Sequence, residues 1–511
     1  MLLLAGEGAA QDEARPSPSV SVSLRTAAER GDPEAQYQLG IACLARGDAA
    51  AERAATRWLK AAARQHHAAA EARLARIYTE GREARADPQA AGELAAKAVR
   101  LLQDAVAQGQ PDALLGLADA HAAGRGVAHD PAEALRLLRA AAEKSQPAAA
   151  YRLSGLYRSG AGVPKDEAEA LRWLRVAAEG GLRDAQLALG LQLASGRGGP
   201  DAEAVRWFGA AARQGLAGAQ YELAQALANG AGAARDEEAA VTWYRAAAAQ
   251  GHAAAMFNLG WMLANGIGTA RDDREAVAWY RSAALLDDLN AQFNLGVMLS
   301  GGRGVPRDDA EAARWFRAAA RRGDTPAQFA IGTLYAEGRG VGKDAREALR
   351  WYREAASHGH TEARNNIGSL YEHGLGVGLD LVEAARWYRL AADAGDAMGQ
   401  LNLARLLESG RGVRPDEREA ARWLRSAAEQ GLADALAQLG AYQAAGRGGL
   451  EPSAAAAAES YYRAGVAYLQ QGRVDGARRC VEALRVVQER GGLDDAHAAL
   501  VTRLAEALAG K

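Results

Sequence analysis

Apolar and polar positions follow a helical rhythm along this chain and return to the same phase every 36 residues. In AAAMFNLGWMLANG (253–266), Met256, Leu259 and Leu263 fall three and four residues apart. That spacing gives an α-helix one apolar face. Gly266 follows the last turn, where a left-handed C-cap favours glycine. The polar stretch IGTARDDREA predicts a loop and a new helix start, with Asp272 or Asp273 as N-cap. AVAWYRSAA then resumes helical spacing, with Val277, Trp279 and Tyr280 on the buried side. Each copy predicts two antiparallel helices. A lone pair cannot cover its apolar faces, so stability has to come from stacking on neighbours.

The tryptophans give the register. Trp207, Trp243, Trp279, Trp315, Trp351, Trp387 and Trp423 are each 36 apart, and Trp173 precedes Trp207 by 34. These eight are the expected core anchors. A small residue follows each by 17 positions, as at Gly190, Gly260, Gly296, Gly332, Gly368 and Gly440. The register extends upstream through Gly40, Trp58, Leu101 and Leu137, which makes about twelve repeats over residues 26–449. Seven extra residues fall between Ala75 and Leu101, at a predicted loop or helix start where insertions are tolerated.

Composition agrees with an all-α chain. Alanine makes up about a quarter of the residues, and there are only 5 Phe and 15 Tyr and no long Val/Ile runs. Lys+Arg is 61 against 63 Asp+Glu, a net charge of −2. That balance supplies no overall attraction to nucleic acid. Cys43 and Cys480 imply no disulfide framework. No window approaches the apolar length of a membrane span. Residues 1–25 are expected to form a disordered leader. Its Leu2–Ala10 stretch has no basic residue before it, so it is not a secretory signal as written, yet it suits the end of one whose start lies upstream. The compartment stays open between cytoplasm and periplasm.

AAAMFNLGWMLANGIGTARDDREAVAWYRSAA and AQFNLGVMLSGGRGVPRDDAEAARWFRAAARRGD resemble the Sel-one-like repeat family, a branch of the tetratricopeptide superfamily. The matching elements are A-x-x-x-L-G, the loop G-x-G-V-x-x-D, and E-A-x-x-W-[YFL]-R-x-A-A. The resemblance implies a right-handed α-solenoid of helix–turn–helix repeats with a concave face. It also implies a scaffold or adaptor role with a protein or peptide partner. A cysteine-rich subgroup linked to penicillin binding carries a disulfide in each repeat, and this chain lacks those cysteines. Residues 450–511 read as a tetratricopeptide-like helix pair with a capping helix. An alternative makes Tyr461-Tyr462-Arg463 the second helix of a last Sel-one-like copy.

Candidate chemistry is sparse, and no cofactor or metal is expected. The loop Gly338-Arg339-Gly340-Val341-Gly342-Lys343-Asp344 lacks P-loop spacing and its Ser/Thr, and it follows a helix instead of a strand. His66, His67, His252, His358, His360 and His373 show no zinc spacing. Glu169/Arg172, Glu203/Arg206, Glu311/Arg314, Glu347/Arg350, Glu383/Arg386 and Glu419/Arg422 are i,i+3 pairs that suit a solvated helix face. Two ladders remain. Asn258, Asn294, Asn366 and Asn402 sit two residues before the small landmark; they suit an extended peptide, since an amide both donates and accepts, and equally suit a structural bond. Arg317, Arg353, Arg389 and Arg425 suit either an acidic ligand or pairing between repeats. The leading function is therefore a non-catalytic protein-interaction scaffold. The alternatives are a periplasmic scaffold in polysaccharide export or envelope regulation, and a hydrolase of the β-lactam or peptidoglycan type.

Overall fold

The computed structural model describes residues 22–44, 49–65, 88–196, 201–490 and 493–509, together with 67, 69–71, 73, 74 and 77. Every regular element among them is helical. Most of the leader lies outside the described residues; its last part does not, because a helix runs over Val22–Glu29. The chain forms two compact units, residues 1–250 and 251–511.

In the second unit the hairpins follow one another at the predicted period: Ala253–Asn265 with Asp273–Leu285, Leu289–Gly301 with Asp309–Arg321, Thr325–Glu337 with Ala345–Ser357, Thr361–His373 with Leu381–Asp393, and Ala397–Ser409 with Glu417–Glu429. Each second helix starts on an aspartate N-cap. At the start left open between two residues, Asp272 caps and accepts from the Glu275 N–H at 2.8 Å. Asp273 instead pairs with Arg271 and Arg303, at 2.6 and 2.8 Å.

The inserted seven residues lengthen a helix. Pro88–Ala107 has 20 residues where its counterpart Pro131–Glu143 has 13. The extra turns lie before the register position Leu101, so the downstream packing phase is kept.

In four successive hairpins of the second unit the core is an aromatic ring set into a glycine notch. A Cβ on Gly296 would lie 2.6 Å from the Phe316 ring, and the same holds within 2.9 Å for Gly260 against Tyr280, Gly332 against Tyr352 and Gly368 against Tyr388. Removing the side chain on one helix lets the ring on the other lie against bare backbone. In the first unit Gly190 receives Phe208 in the same way. The residue after each register tryptophan is the deeper of the two. Leu174, Phe208, Tyr244, Tyr280, Phe316, Tyr352, Tyr388 and Leu424 are all buried. Of the expected anchors, Trp173 and Trp351 are buried, whereas Trp207, Trp243, Trp279, Trp315, Trp387 and Trp423 are only half-buried.

Successive hairpins are joined at both ends. Buried Gln400 donates to the Ala392 carbonyl at 3.4 Å and accepts from Gln430 of the next turn at 3.0 Å, while Gln430 also donates to the Gly395 carbonyl. At the other end, the loop glycine Gly340 has φ +66° and rests on the backbone of Asp309 and Ala310, which begins the preceding second helix. Arg339 beside it bonds Asp309 at 2.8 Å and Ser300 at 3.0 Å.

The chain's last hairpin, Ala433–Ala445 with Ala454–Gln470, repeats the notch: Gly440 faces Tyr461 at 3.1 Å. Ala454–Gln470 also packs on Val474–Glu489, and Asp495–Ala509 covers both, with Leu504 against Gly465. One helix thus serves the last notch and the terminal pair.

Candidate functional site

The four asparagines lie on successive or next-but-one first helices of the second unit, all half-buried. Their bonds differ. Asn294 Nδ2 donates to the Asn290 carbonyl one turn back, at 2.9 Å. Asn402 Nδ2 donates to Oδ1 of Asn365 on the preceding first helix, at 2.9 Å. Asn366 bonds the Tyr352 hydroxyl, whose pKa burial pushes up against the lowering effect of Thr333 and Asn366. Asn365 and Asn366 contact each other at 3.4 Å. The lower pair, Asn366 and Asn402, is thus tied into the hairpins.

The arginine ladder is engaged as well. Arg317 donates to the Tyr335 hydroxyl at 2.7 Å and Arg353 to the Tyr371 hydroxyl at 2.5 Å, each on the first helix that follows. Arg389 reaches Glu419 of the next hairpin at 2.6 Å. Arg425 is exposed. Arg175–Glu203 at 2.9 Å and Arg281–Glu311 at 2.9 Å repeat the Arg389 pattern. Three of the four ladder arginines thus bond a group of the following repeat.

The i,i+3 pairs divide. Glu169–Arg172, Glu347–Arg350 and Glu383–Arg386 form, at 3.3, 2.9 and 3.5 Å. Glu203, Glu311 and Glu419 turn instead to the arginine of the preceding hairpin. The same carboxylates take the indole N–H of the following turn: Trp279 to Glu275, Trp315 to Glu311, Trp387 to Glu383 and Trp423 to Glu419, at 2.9–3.2 Å. These four indoles are half-buried, with the N–H on a surface carboxylate. At Trp173 and Trp351 the carboxylate is held by its own i+3 arginine, and the indole is buried with no partner for its N–H among the described residues; at Trp387, Glu383 holds both Arg386 and the indole.

Glu419 illustrates the consequence. The Arg389 bond holds its carboxyl below the usual range, against burial that raises it, with the Trp423 N–H helping. A carboxylate with a depressed folded pKa stabilises the fold above its unfolded pKa, and that contribution is lost as pH falls through the folded value. Asp273, held low chiefly by Arg271, acts in the same sense. The melting temperature is therefore expected to fall steadily below about pH 4.3. Glu419→Gln should flatten that part of a Tm-against-pH curve, read by circular dichroism.

Sequence reasoning missed the exposed member of the first-helix face. Trp261 is 46% exposed, and Val297, at the same register on the next first helix, is 39% exposed. The signal was present, since Trp261 lies outside the 36-residue tryptophan register. Three residues separate Trp261 from Asn258 and Val297 from Asn294, so each pair shares a helix face.

The Sel1 repeat model matches residues 33–67, 68–101, 111–145, 147–182, 183–216, 217–252, 253–288, 289–324, 325–360, 361–396 and 397–432. The chain belongs to the Sel1 repeat family. The last matched stretch ends at 432, and the Gly440–Tyr461 notch of this Sel1 repeat chain continues the pattern one hairpin further. A solved structure of c5321 from uropathogenic Escherichia coli, described as a protective antigen with an SLR fold, is 29% identical. It covers 89% of this chain and 94% of its own, with a TM-score of 0.73. A Sel1 repeat protein from Oxalobacter formigenes is 33% identical over 59% of this chain and 88% of its own, with a TM-score of 0.46. No curated protein matches the chain. The Sel1 solenoid fold is typically a scaffold for interactions between proteins. No helix described is long and apolar enough to cross a membrane, and no group of metal-binding side chains occurs among the described residues.

Proposed function

We propose that this chain is a non-catalytic adaptor whose second unit holds an uncharged, extended protein segment on its first-helix face. One observation carries the reading: two neighbouring first helices each place an exposed apolar side chain, Trp261 or Val297, on the same face as an amide, Asn258 or Asn294. A large indole left in water at one register of a repeat is a ready anchor for a partner side chain. The Asn294 amide spends its N–H₂ on its own helix, which leaves its oxygen as an acceptor for a backbone N–H. The neighbouring register position is Thr333, so this register stays uncharged over three hairpins.

The test is affinity capture in the native cell, followed by titration of the captured partner. Trp261→Ala with Val297→Ala is expected to weaken binding by more than tenfold, since truncating an anchor costs about 2 kcal/mol or more. The melting temperature should stay within a few degrees, because both side chains are exposed. Equal losses of binding and stability would return these residues to the fold.

A further inference from the structure

In the first unit, the joint between the hairpin Pro111–Ala123 with Pro131–Glu143 and the next first helix, Pro147–Ser159, lacks both ties described above. The amide tie of Gln430 to Gln400 has no counterpart, because Lys144 and Leu114 stand at those positions. The clamp of Arg339 on Asp309 is gone as well, replaced by Ala161 and Pro131. What holds this joint lies elsewhere: Gln146 donates to Asp112, Arg152 pairs with Asp119, and Arg139 donates to the Tyr157 hydroxyl at 2.6 Å. The loop end stays open. A Cβ on Gly162 would meet nothing within 4 Å. At the same position of other loops, a Cβ on Gly126, Gly304, Gly340 or Gly412 would fall 2.1–2.3 Å from the backbone of the preceding second helix.

A cavity of about 420 Å³ occupies the space that the loop leaves. Ala134, Leu135, Leu138, Leu156 and Val163 wall it. Among the described residues its charged lining is Asp119 and Arg152, which are paired with each other. Protein interiors are close-packed, and an apolar void offers water no bonding partners. An apolar cavity of about 150 Å³ takes up benzene, and this one is nearly three times as large. The aliphatic wall selects an apolar occupant. The charge selects an uncharged one, because an anion would enter beside Asp119 and a cation beside Arg152.

We propose that this joint is a binding site for an uncharged apolar small molecule of two to three rings. Bound there, it fills the space between the two hairpins and supplies the contacts that the missing ties do not. The site lies in the first unit and is independent of the Trp261 face in the second.

The experiment uses the full chain and two fluorescent probes built on one skeleton. N-phenyl-1-naphthylamine is uncharged, and 8-anilinonaphthalene-1-sulfonate carries a sulfonate. The uncharged probe is expected to bind at least about tenfold more tightly. It should also slow hydrogen exchange in Pro131–Glu143 and Pro147–Ser159, since a ligand stabilises the segments it holds. Pro131→Asp with Ala161→Arg restores the clamp of the sister joints and should draw Gly162 onto the preceding helix. It is expected to cost at least about tenfold in affinity for the uncharged probe, with no fall in melting temperature. Leu135→Asn, at a half-buried position of the wall, places an amide in the cavity and should weaken the probe without closing the joint. No binding, equal affinity for the two probes, or unchanged binding by both variants overturns the proposal. So does protection that falls on Ala253–Asn265, which would seat the probe on Trp261 and leave the first-helix reading standing.

Discussion

Phe316→Ala is expected to destabilise its hairpin by about 3–5 kcal/mol, more than twice the effect of Trp315→Ala next to it. Phe316 is 3% exposed and lies against the bare backbone of Gly296, so truncation leaves a cavity lined on one side by a helix that has no side chain to fill it. Trp315 is half-buried, with its N–H on Glu311 at 3.2 Å, so its removal exposes surface that was partly wet already. About 1–2 kcal/mol is expected there. Stability in a repeat array is local, since each hairpin leans on its neighbours. The measurement is native-state hydrogen exchange over Leu289–Gly301 and Asp309–Arg321. A larger loss for the tryptophan would restore the indoles as principal anchors and undo the burial argument.

Gly340→Ala is the second large effect, at about 2–5 kcal/mol. Two causes act together. At φ +66° an L side chain is strained, and its Cβ would fall inside the carbonyl group of Asp309, with the Ala310 nitrogen only 2.5 Å away. Neither neighbour is a flexible side chain, so the loop has to lift off the preceding hairpin. Lifting it also pulls Arg339 from Asp309. Two residues on, a Cβ on Gly342 would meet nothing within 4 Å, and φ there is not in the left-handed region. Gly342→Ala is therefore the control expected to be nearly silent. Urea unfolding of the two variants, followed by circular dichroism, distinguishes them. A mild effect at Gly340 would mean that the loop contact contributes little to stacking.

The two ladders were legible as positions and not as roles. A recurring Asn or Arg at fixed phase says that equivalent environments recur. It does not say whether the partner is another part of the chain or a ligand. Arg317 and Arg353 reach a tyrosine hydroxyl 18 residues on, and Arg389 reaches a glutamate 30 residues on. Those distances in sequence only become contacts once the hairpins stack. The exposed groups were readable by the opposite route, as departures from the repeat. Trp261 stands outside the tryptophan phase, and Leu375, Leu379 and Val382 replace mostly basic positions. In a repeat the shared residues report packing, and the exposed residues show up as breaks in the consensus.

By itself the sequence determined the period, the two helices per copy, their caps and the small landmark, because these depend on local spacing and on backbone preferences a few residues long. Only the tertiary structure decided which of two adjacent aromatics is the anchor. Trp315 and Phe316 differ by about 100° around one helix, and the notch that selects between them lies on a different helix, at Gly296. The tertiary structure also decided how each glutamate divides its bonds between its own arginine, the indole and the preceding hairpin. Those choices turn on the distance between stacked helices, which no local pattern encodes.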